Sequence, residues 1–245
     1  MTYCLGIRLP SGLVLASDSR SNAGVDQVAS VHKLNLITVP GERVIAIMSS
    51  GNLGTTQSVV TLLQEAAGRR DATPDLHSAR TMFEVAGIVG EELRKVVDRD
   101  RAYVKPYADP SGSFIVGGQI KGEPPRLFQI YSAGNFVEAS DRTFFLQIGE
   151  TKYGKPILDR ALTAHSSLDE AAKIALLSFD ATIRSNLSVG LPIDILRYRA
   201  DSFSTADLAT LQDDNPYWRD LRRDYADGLT SLVAALPAPS VWDAL

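Results

Sequence analysis

The chain has 245 residues, 44% of them hydrophobic and 22% charged, which suits one soluble globular domain with a sizeable core. A formal net charge of -4 and the absence of a Lys/Arg cluster argue against nucleic acid or another anionic surface as partner. A single cysteine excludes an intrachain disulfide. The scattered His32, His77 and His165 with Cys4 leave no metal-ligand spacing, so neither metal nor cofactor is expected.

The first residues alternate, with Tyr3, Leu5, Ile7 and Leu9 on one face and Cys4, Gly6 and Arg8 on the other. Pro10-Ser11-Gly12 turns the chain into Leu13–Ser17. Together these read as a hairpin whose second strand is apolar on both faces, hence central and covered. The polar stretch Asp18 to Gly24 reads as a loop. A second strand pair is expected over Lys33–Val39 and Arg43–Ser49, joined by Pro40-Gly41-Glu42.

Asn52 caps a predicted helix that continues through Val59, Val60, Leu62 and Leu63. A second helix is expected over about Ser78–Val97, where Met82, Val85, Ala86, Val89, Leu93 and Val96 recur at spacings of three and four. Strands follow at Phe114–Gly118, Leu127–Tyr131 and Phe144–Ile148, then helices at about Lys155–Leu162 and Leu168–Ile183. Ile193–Arg199 closes the unit as a strand. This segregated order suggests an α+β class, with paired sheets and helices outside.

After Ala200 the composition turns polar, and Pro216–Leu232 reads as a short amphipathic helix carrying Trp218, Leu221, Tyr225 and Leu229. The expected division is a domain over residues 1–200 and a C-terminal extension over 201–245, packed on that domain or on a neighbouring subunit. The N-terminus has no basic segment followed by an apolar run, and no apolar run reaches the about 18 residues of a membrane span. The expected location is the cytoplasm.

Thr2 is small enough to favour removal of Met1. The exposed α-amine, with an ordinary pKa of about 8, could then take the hydroxyl proton directly or through water. Nucleophile and base would belong to one residue. Many chains begin this way, so the context of Thr2 has to carry the argument.

That context is Thr2 through Gly12, Leu15-Ala16-Ser17-Asp18-Ser19-Arg20, Lys33 and Ser49-Ser50-Gly51-Asn52. In this order and spacing, over about residues 2–200, it resembles a proteasome-type β subunit. Met1-Thr2-Tyr3-Cys4 with Ser19-Arg20-Ser21-Asn22-Ala23-Gly24-Val25-Asp26 resembles the bacterial branch called Anbu, the ancestral β-subunit-like homologue. The resemblance implies a four-layer αββα sandwich, the N-terminal nucleophile hydrolase fold.

It also implies roles. The family's nucleophile falls on Thr2, its aspartate on Asp18 and its lysine on Lys33. A lysine ammonium lowers the proton affinity of a nearby amine, and a carboxylate fixes the lysine. Gly51 matches the glycine whose backbone N–H faces the oxyanion. Ser188 matches a supporting serine. Taken alone, Asp18 reads as a turn or cap residue, Lys33 as a solvated charge, Gly51 as a turn glycine and Ser188 as a polar residue at a helix end.

Two positions depart from the family. Glu150, within Gly149-Glu150-Thr151, stands where the family has a serine, and Ser185 stands where it has an aspartate, with Asn186 beside it. A carboxylate at position 150 would either hold Thr2 as an ammonium or orient a water. By the same pattern Ser21, Val31, Ser49 and Leu53 line the first specificity pocket, which favours an uncharged residue before the scissile bond. Other features stay bland. Cys4 lies inside a strand, His32 suits a strand edge, and Gly117-Gly118 lacks the rest of a phosphate-binding loop.

The reading is a threonine peptidase acting on peptide or unfolded protein, with small-amide hydrolysis on the same fold or a catalytically silent assembly subunit as alternatives. The resemblance further implies a large homo-oligomer, open-ring or helical, and leaves an unfoldase partner open.

Overall fold

The structure is a computed structural model that describes residues 2–22, 28–68 and 75–240. Met1 and Ala23, Gly24, Val25 and Asp26, which contribute to the sequence reading, lie outside the described residues.

In chain order the elements begin with β1 (Tyr3–Leu9), β2 (Gly12–Asp18), β3 (Arg20–Asn22), β4 (Val28–Ser30), β5 (Leu34–Val39) and β6 (Arg43–Gly51). Helices α1 (Leu53–Ala66) and α2 (Met82–Val104) follow. Then come β7 (Gly112–Ile120), β8 (Arg126–Ile130), β9 (Phe136–Glu138) and β10 (Phe145–Gly149). The chain continues through α3 (Lys155–Ala161), α4 (Leu168–Ser185), β11 (Ile193–Arg199), β12 (Leu208–Leu211) and α5 (Pro216–Ala235).

One sheet has the order β10-β1-β2-β11-β12 and the other β5-β6-β7-β8-β9, with β3-β4 as a separate short pair. The strand pairings within both five-stranded sheets are antiparallel. Three apolar clusters define the layers. Leu13, Leu15, Val44, Ala46, Met48 and Ile115 meet between the sheets. Ile45, Ile47, Val116 and Phe128 pack under α1 and α2. Tyr3, Leu5, Val14 and Ala16 pack under α3 and α4 with Phe179. The result is the four-layer αββα sandwich.

These layers explain why β2 and β6 are apolar on both faces. Successive side chains point to opposite sides of a strand, and both sides are covered. In β2, Leu13 and Leu15 face the other sheet while Val14 and Ala16 face the helices. Each of the leucine and valine side chains contributes about 1.5–3 kcal/mol when fully buried.

Several boundaries differ from the periodicity. α2 begins at Met82 because Thr81 caps it, its side chain accepting from the Glu84 N–H at 3.1 Å. Ser78 is engaged before the helix by the Asp75 carboxylate. The same helix runs seven residues past Val97, where Asp98, Arg99, Asp100 and Arg101 interrupt the apolar spacing and no position is buried. Part of the expected loop after Asp18 is strand β3, and β9 and β12 are strands that the pattern missed. β12 is an edge strand with only Leu211 buried, so alternation hardly registers in its sequence.

α5 docks through its first turns. Trp218 is fully buried in the cluster under α4, and the Arg222 Nε donates to the Asp180 carboxylate at 2.7 Å. No helix among the described residues is long and apolar enough to cross a membrane.

Candidate active site

The antiparallel register of β1 and β2 sets Cys4 opposite Ser17, which brings the start of β1 beside Asp18, the last residue of β2. The Tyr3 backbone N–H, which follows Thr2, donates to Asp18 Oδ1 at 3.0 Å. Lys33, immediately before β5, reaches the same oxygen with Nζ at 2.7 Å and also donates to the Arg20 carbonyl at 2.6 Å. Asp18 Oδ2 accepts from the backbone N–H of Arg20 and of Gly190, each at 3.2 Å.

Asp18 is fully buried and Lys33 is 4% exposed. Burial pushes the Asp18 carboxyl above its ordinary range. The Lys33 ammonium and the N–H groups of Tyr3 and Gly190 act in the opposite sense. All four polar neighbours donate, which suits an ionised, acceptor-only carboxylate.

Thr2 is itself nearly buried, at 9% exposure, and its carbonyl accepts from the Glu150 N–H at 2.7 Å. This contact continues the pairing of Tyr3 with Gly149 between β1 and β10. Gly149 has φ +83°, and a side chain there would collide with the Thr2 carbonyl, so only glycine lets the strands close. Glu150 is 3% exposed. Its Oε2 accepts from the Asn186 side-chain amide at 2.9 Å, and its Oε1 from the Lys152 N–H at 3.4 Å.

Asn186 ends α4, and its own Oδ1 accepts the Ser188 backbone N–H at 2.9 Å. The segment after α4 is thus pinned twice, by Asn186 to Glu150 and by Gly190 to Asp18. Ser188 lies half-buried between those pins, whereas Ser185 is exposed at the helix end. The Arg20 guanidinium lies against Gly190 and donates to the Leu187 carbonyl at 2.8 Å.

Gly51 closes β6 with φ +117°. A Cβ there would come within 2.6 Å of the Ser111 carbonyl oxygen, so the position requires glycine. The next residue starts α1: Asn52 Oδ1 accepts the Thr55 N–H at 3.2 Å. Gly51 and Gly149 line one cavity of about 450 Å³.

Of the expected site residues, Asp18 and Lys33 are in direct contact, and Thr2 adjoins them through the Tyr3 N–H. Gly51 shares a cavity with the strand end that abuts Thr2, and Ser188 is linked through Asn186 and Glu150. Among the expected pocket residues Ser49 is buried, Ser21 and Val31 are half-buried, and Leu53 is exposed. Sequence reasoning missed the Arg20 carbonyl and the Gly190 N–H, because backbone groups carry no residue-type signal. Cys4 is fully buried with its thiol pushed up by burial, and its Sγ donates to the Ser49 carbonyl at 3.6 Å. Among the described residues no group of three or more His, Cys, Asp or Glu side chains converges as a metal site.

Residues 2–196 match the proteasome subunit family. The chain is similar in structure to Anbu (ancestral beta-subunit) from Yersinia bercovieri, at 48% identity and TM-score 0.92, covering 97% of this chain and 98% of that one. It is similar to Anbu from Hyphomicrobium sp. strain MC1 at 46% identity and TM-score 0.89, over 98% of this chain and 100% of that one. The Anbu complex from Pseudomonas aeruginosa, described as a helical assembly, matches at 46% identity and TM-score 0.93, with 97% and 98% covered. No curated protein matches the chain.

Proposed function

The chain belongs to the proteasome subunit family and to its Anbu branch, and on that footing we propose that it is a threonine peptidase whose nucleophile is Thr2 after removal of Met1. The observation that carries this reading is the buried Asp18 carboxylate, shared at 2.7 Å by Lys33 and at 3.0 Å by the peptide N–H that follows Thr2. A cation is thereby held beside the residue that would bear the free amine.

In this reading the Thr2 amine accepts the hydroxyl proton, and the Lys33 ammonium keeps that amine's proton affinity low enough for exchange near neutrality. The Thr2 oxygen forms a bond to the substrate carbonyl carbon, and the resulting oxyanion faces the Gly51 N–H beside the start of α1. Return of the proton to the leaving nitrogen breaks the amide bond and leaves an ester on Thr2. Water, deprotonated by the same amine, then frees the acid and restores the hydroxyl. Asp18 positions Lys33, and Ser188 supports the site through the segment that Asn186 and Gly190 pin.

The substrate in this reading is peptide or unfolded protein in the cytoplasm, with an uncharged side chain preferred in the pocket of Ser21, Val31, Ser49 and Leu53. Residues 1–200 form the hydrolase domain and 201–245 an extension. The helical assembly of the Pseudomonas aeruginosa relative supports a homo-oligomer for this chain as well.

One observation favours a catalytically silent assembly subunit instead: Glu150, a buried carboxylate hydrogen-bonded to Thr2 through its backbone. An anion there favours the ammonium form of the Thr2 amine, which cannot act as base. Peptide mapping by mass spectrometry decides between the two, using an electrophile selective for N-terminal threonine on the assembled protein and on Thr2→Ala. Loss of Met1 with stoichiometric label on Thr2 is expected. Retention of Met1, or a free but unlabelled Thr2, would establish the silent subunit.

A further inference from the structure

The cavity that Gly51 and Gly149 line continues away from Thr2 between β7, β8 and β10. Its walls are Ser113, Gln129, Tyr131 and Gln147, all uncharged hydrogen-bonding side chains. None of Ser21, Val31, Lys33, Ser49 or Leu53 lines it, so it is separate from the expected first specificity pocket. At its far end Ser111 and Ser132 are shared with a second cavity, of about 760 Å³, at the C-terminal end of α2. The two cavities form one groove.

The far part is cationic. Arg101, Lys105 and Tyr107 line it, all exposed. Arg101 approaches Asp98 only at 3.9 Å, and Lys105 makes no ion pair with a described residue. The one acid on that lining, Asp109, is already engaged, accepting from the Ser111 N–H at 3.0 Å and the Ser111 hydroxyl at 2.7 Å. The lining thus carries two cations against the single carboxylate of Asp109.

When Thr2 attacks an amide, the acyl part stays bonded to the threonine in its pocket, and the amine part must leave from the other side. We infer that this groove binds the leaving-group side of a peptide substrate and that Arg101 and Lys105 select a carboxylate on that side. The inference rests on the threonine-peptidase reading for its direction. The glutamine- and serine-lined near part meets the peptide backbone, and the basic far part meets an aspartate or glutamate side chain or a free chain terminus.

The test is a peptide series with a constant acyl side, carrying Asp or Asn at each successive position after the scissile bond, with free or amidated ends. At one or more positions Asp is expected to raise kcat/KM about five-fold over Asn, the size of a partly exposed ion pair. A gain that survives amidation identifies the side chain, and one lost on amidation identifies the terminus. The gain should fall with salt and vanish in Arg101→Gln/Lys105→Gln, and Lys105→Glu should shift the preference to Lys. Equal rates for Asp and Asn, unchanged by these exposed substitutions while Thr2 still takes the electrophile, would overturn the groove and leave the nucleophile standing. If Thr2 takes no label, binding of the same fluorescent peptides to the assembled protein decides the groove. Tighter binding of the Asp form, lost in the double variant, supports it, and equal binding sinks it.

Discussion

The side-chain amide of Asn186 donates to the Glu150 carboxylate at 2.9 Å, across a sequence separation of 36 residues. Glu150 holds the Thr2 carbonyl with its own N–H, so the end of α4 and the end of β10 meet at Thr2. By the resemblance Glu150 stands where the family has a serine, and Asn186 follows Ser185, which stands where the family has an aspartate. Glu150 thereby places a buried carboxyl group beside Thr2, held by the Asn186 amide and the Lys152 N–H, with the Lys152 ammonium at 3.9 Å.

Glu150→Gln should keep a hydrogen bond to Asn186 and remove the charge. An anion near an amine favours its protonated form, so its removal should move the midpoint of Thr2 acylation against pH downward by about one unit. Acylation is followed by mass spectrometry across a pH series. Coincident profiles for the two proteins would show that the carboxylate does not act on the amine.

Lys33→Met should be severe for both folding and chemistry. It leaves the Asp18 carboxylate fully buried without its cation, which costs about 3–5 kcal/mol. Thr2 labelling should drop about 100-fold or more, because the amine loses the charge that keeps it deprotonated. Asp18→Asn should be similarly costly, since its amide NH2 would face N–H donors on one side and Lys33 would stay buried without its counter-ion. Denaturant midpoints and labelling rates, measured on both variants, separate the two effects.

Gly51→Ala places a methyl group against the Ser111 carbonyl at a backbone angle that favours glycine. The strain should cost about 1–3 kcal/mol of stability. The N–H survives in the variant, so if it faces the oxyanion, its displacement by the strain should lower kcat on an amide substrate about 10- to 100-fold with KM little changed. A proportional rise in KM with kcat intact would point to substrate positioning instead.

Tyr3 gives an alkaline signature. Its hydroxyl meets Ser178 Oγ at 2.6 Å and accepts from the Gln147 amide at 2.7 Å. Burial pushes the phenol up to about 12, and those hydrogen bonds pull against the rise. A folded-state pKa raised above the unfolded value of about 10 means a stabilising contribution that is fully present below pH 10 and lost as the pH rises through about 12. Tyr3→Phe should therefore flatten the fall in stability in that window, at a cost of about 1 kcal/mol near neutrality. Chemical unfolding at several alkaline pH values, with phenolate absorbance as a second probe, reports both.

Trp218→Ala tests how α5 is held. Trp218 is fully buried and Arg222 stacks over its ring at 5.4 Å, whereas Leu229, Leu232 and Val233 further along the helix are exposed. The substitution should cost about 3–5 kcal/mol, with the loss read first as faster amide exchange in α5. Uniform exchange changes across all helices would mean that α5 is not a separately docked element.

Sequence alone determined what local chemistry can determine. The hairpin of β1 and β2, the apolar core strands, the Asn52 cap and the buried face of α2 all follow from periodicity and side-chain type. The Thr2, Asp18 and Lys33 pattern was legible only as a resemblance, because nothing local links Asp18 to residues on different segments so far along the chain. The tertiary structure decided the rest. Gly190 reaches Asp18 across 172 residues, and the Arg20 carbonyl that receives Lys33 is a backbone group that every residue possesses. β9 and β12 exist because a neighbouring strand offers its edge, not because three or four residues insist on extension. The partnership of Glu150 with Asn186 and the joining of two cavities at Ser111 likewise arise where distant segments pack, and pairwise contact at such separations leaves no periodic trace in one sequence.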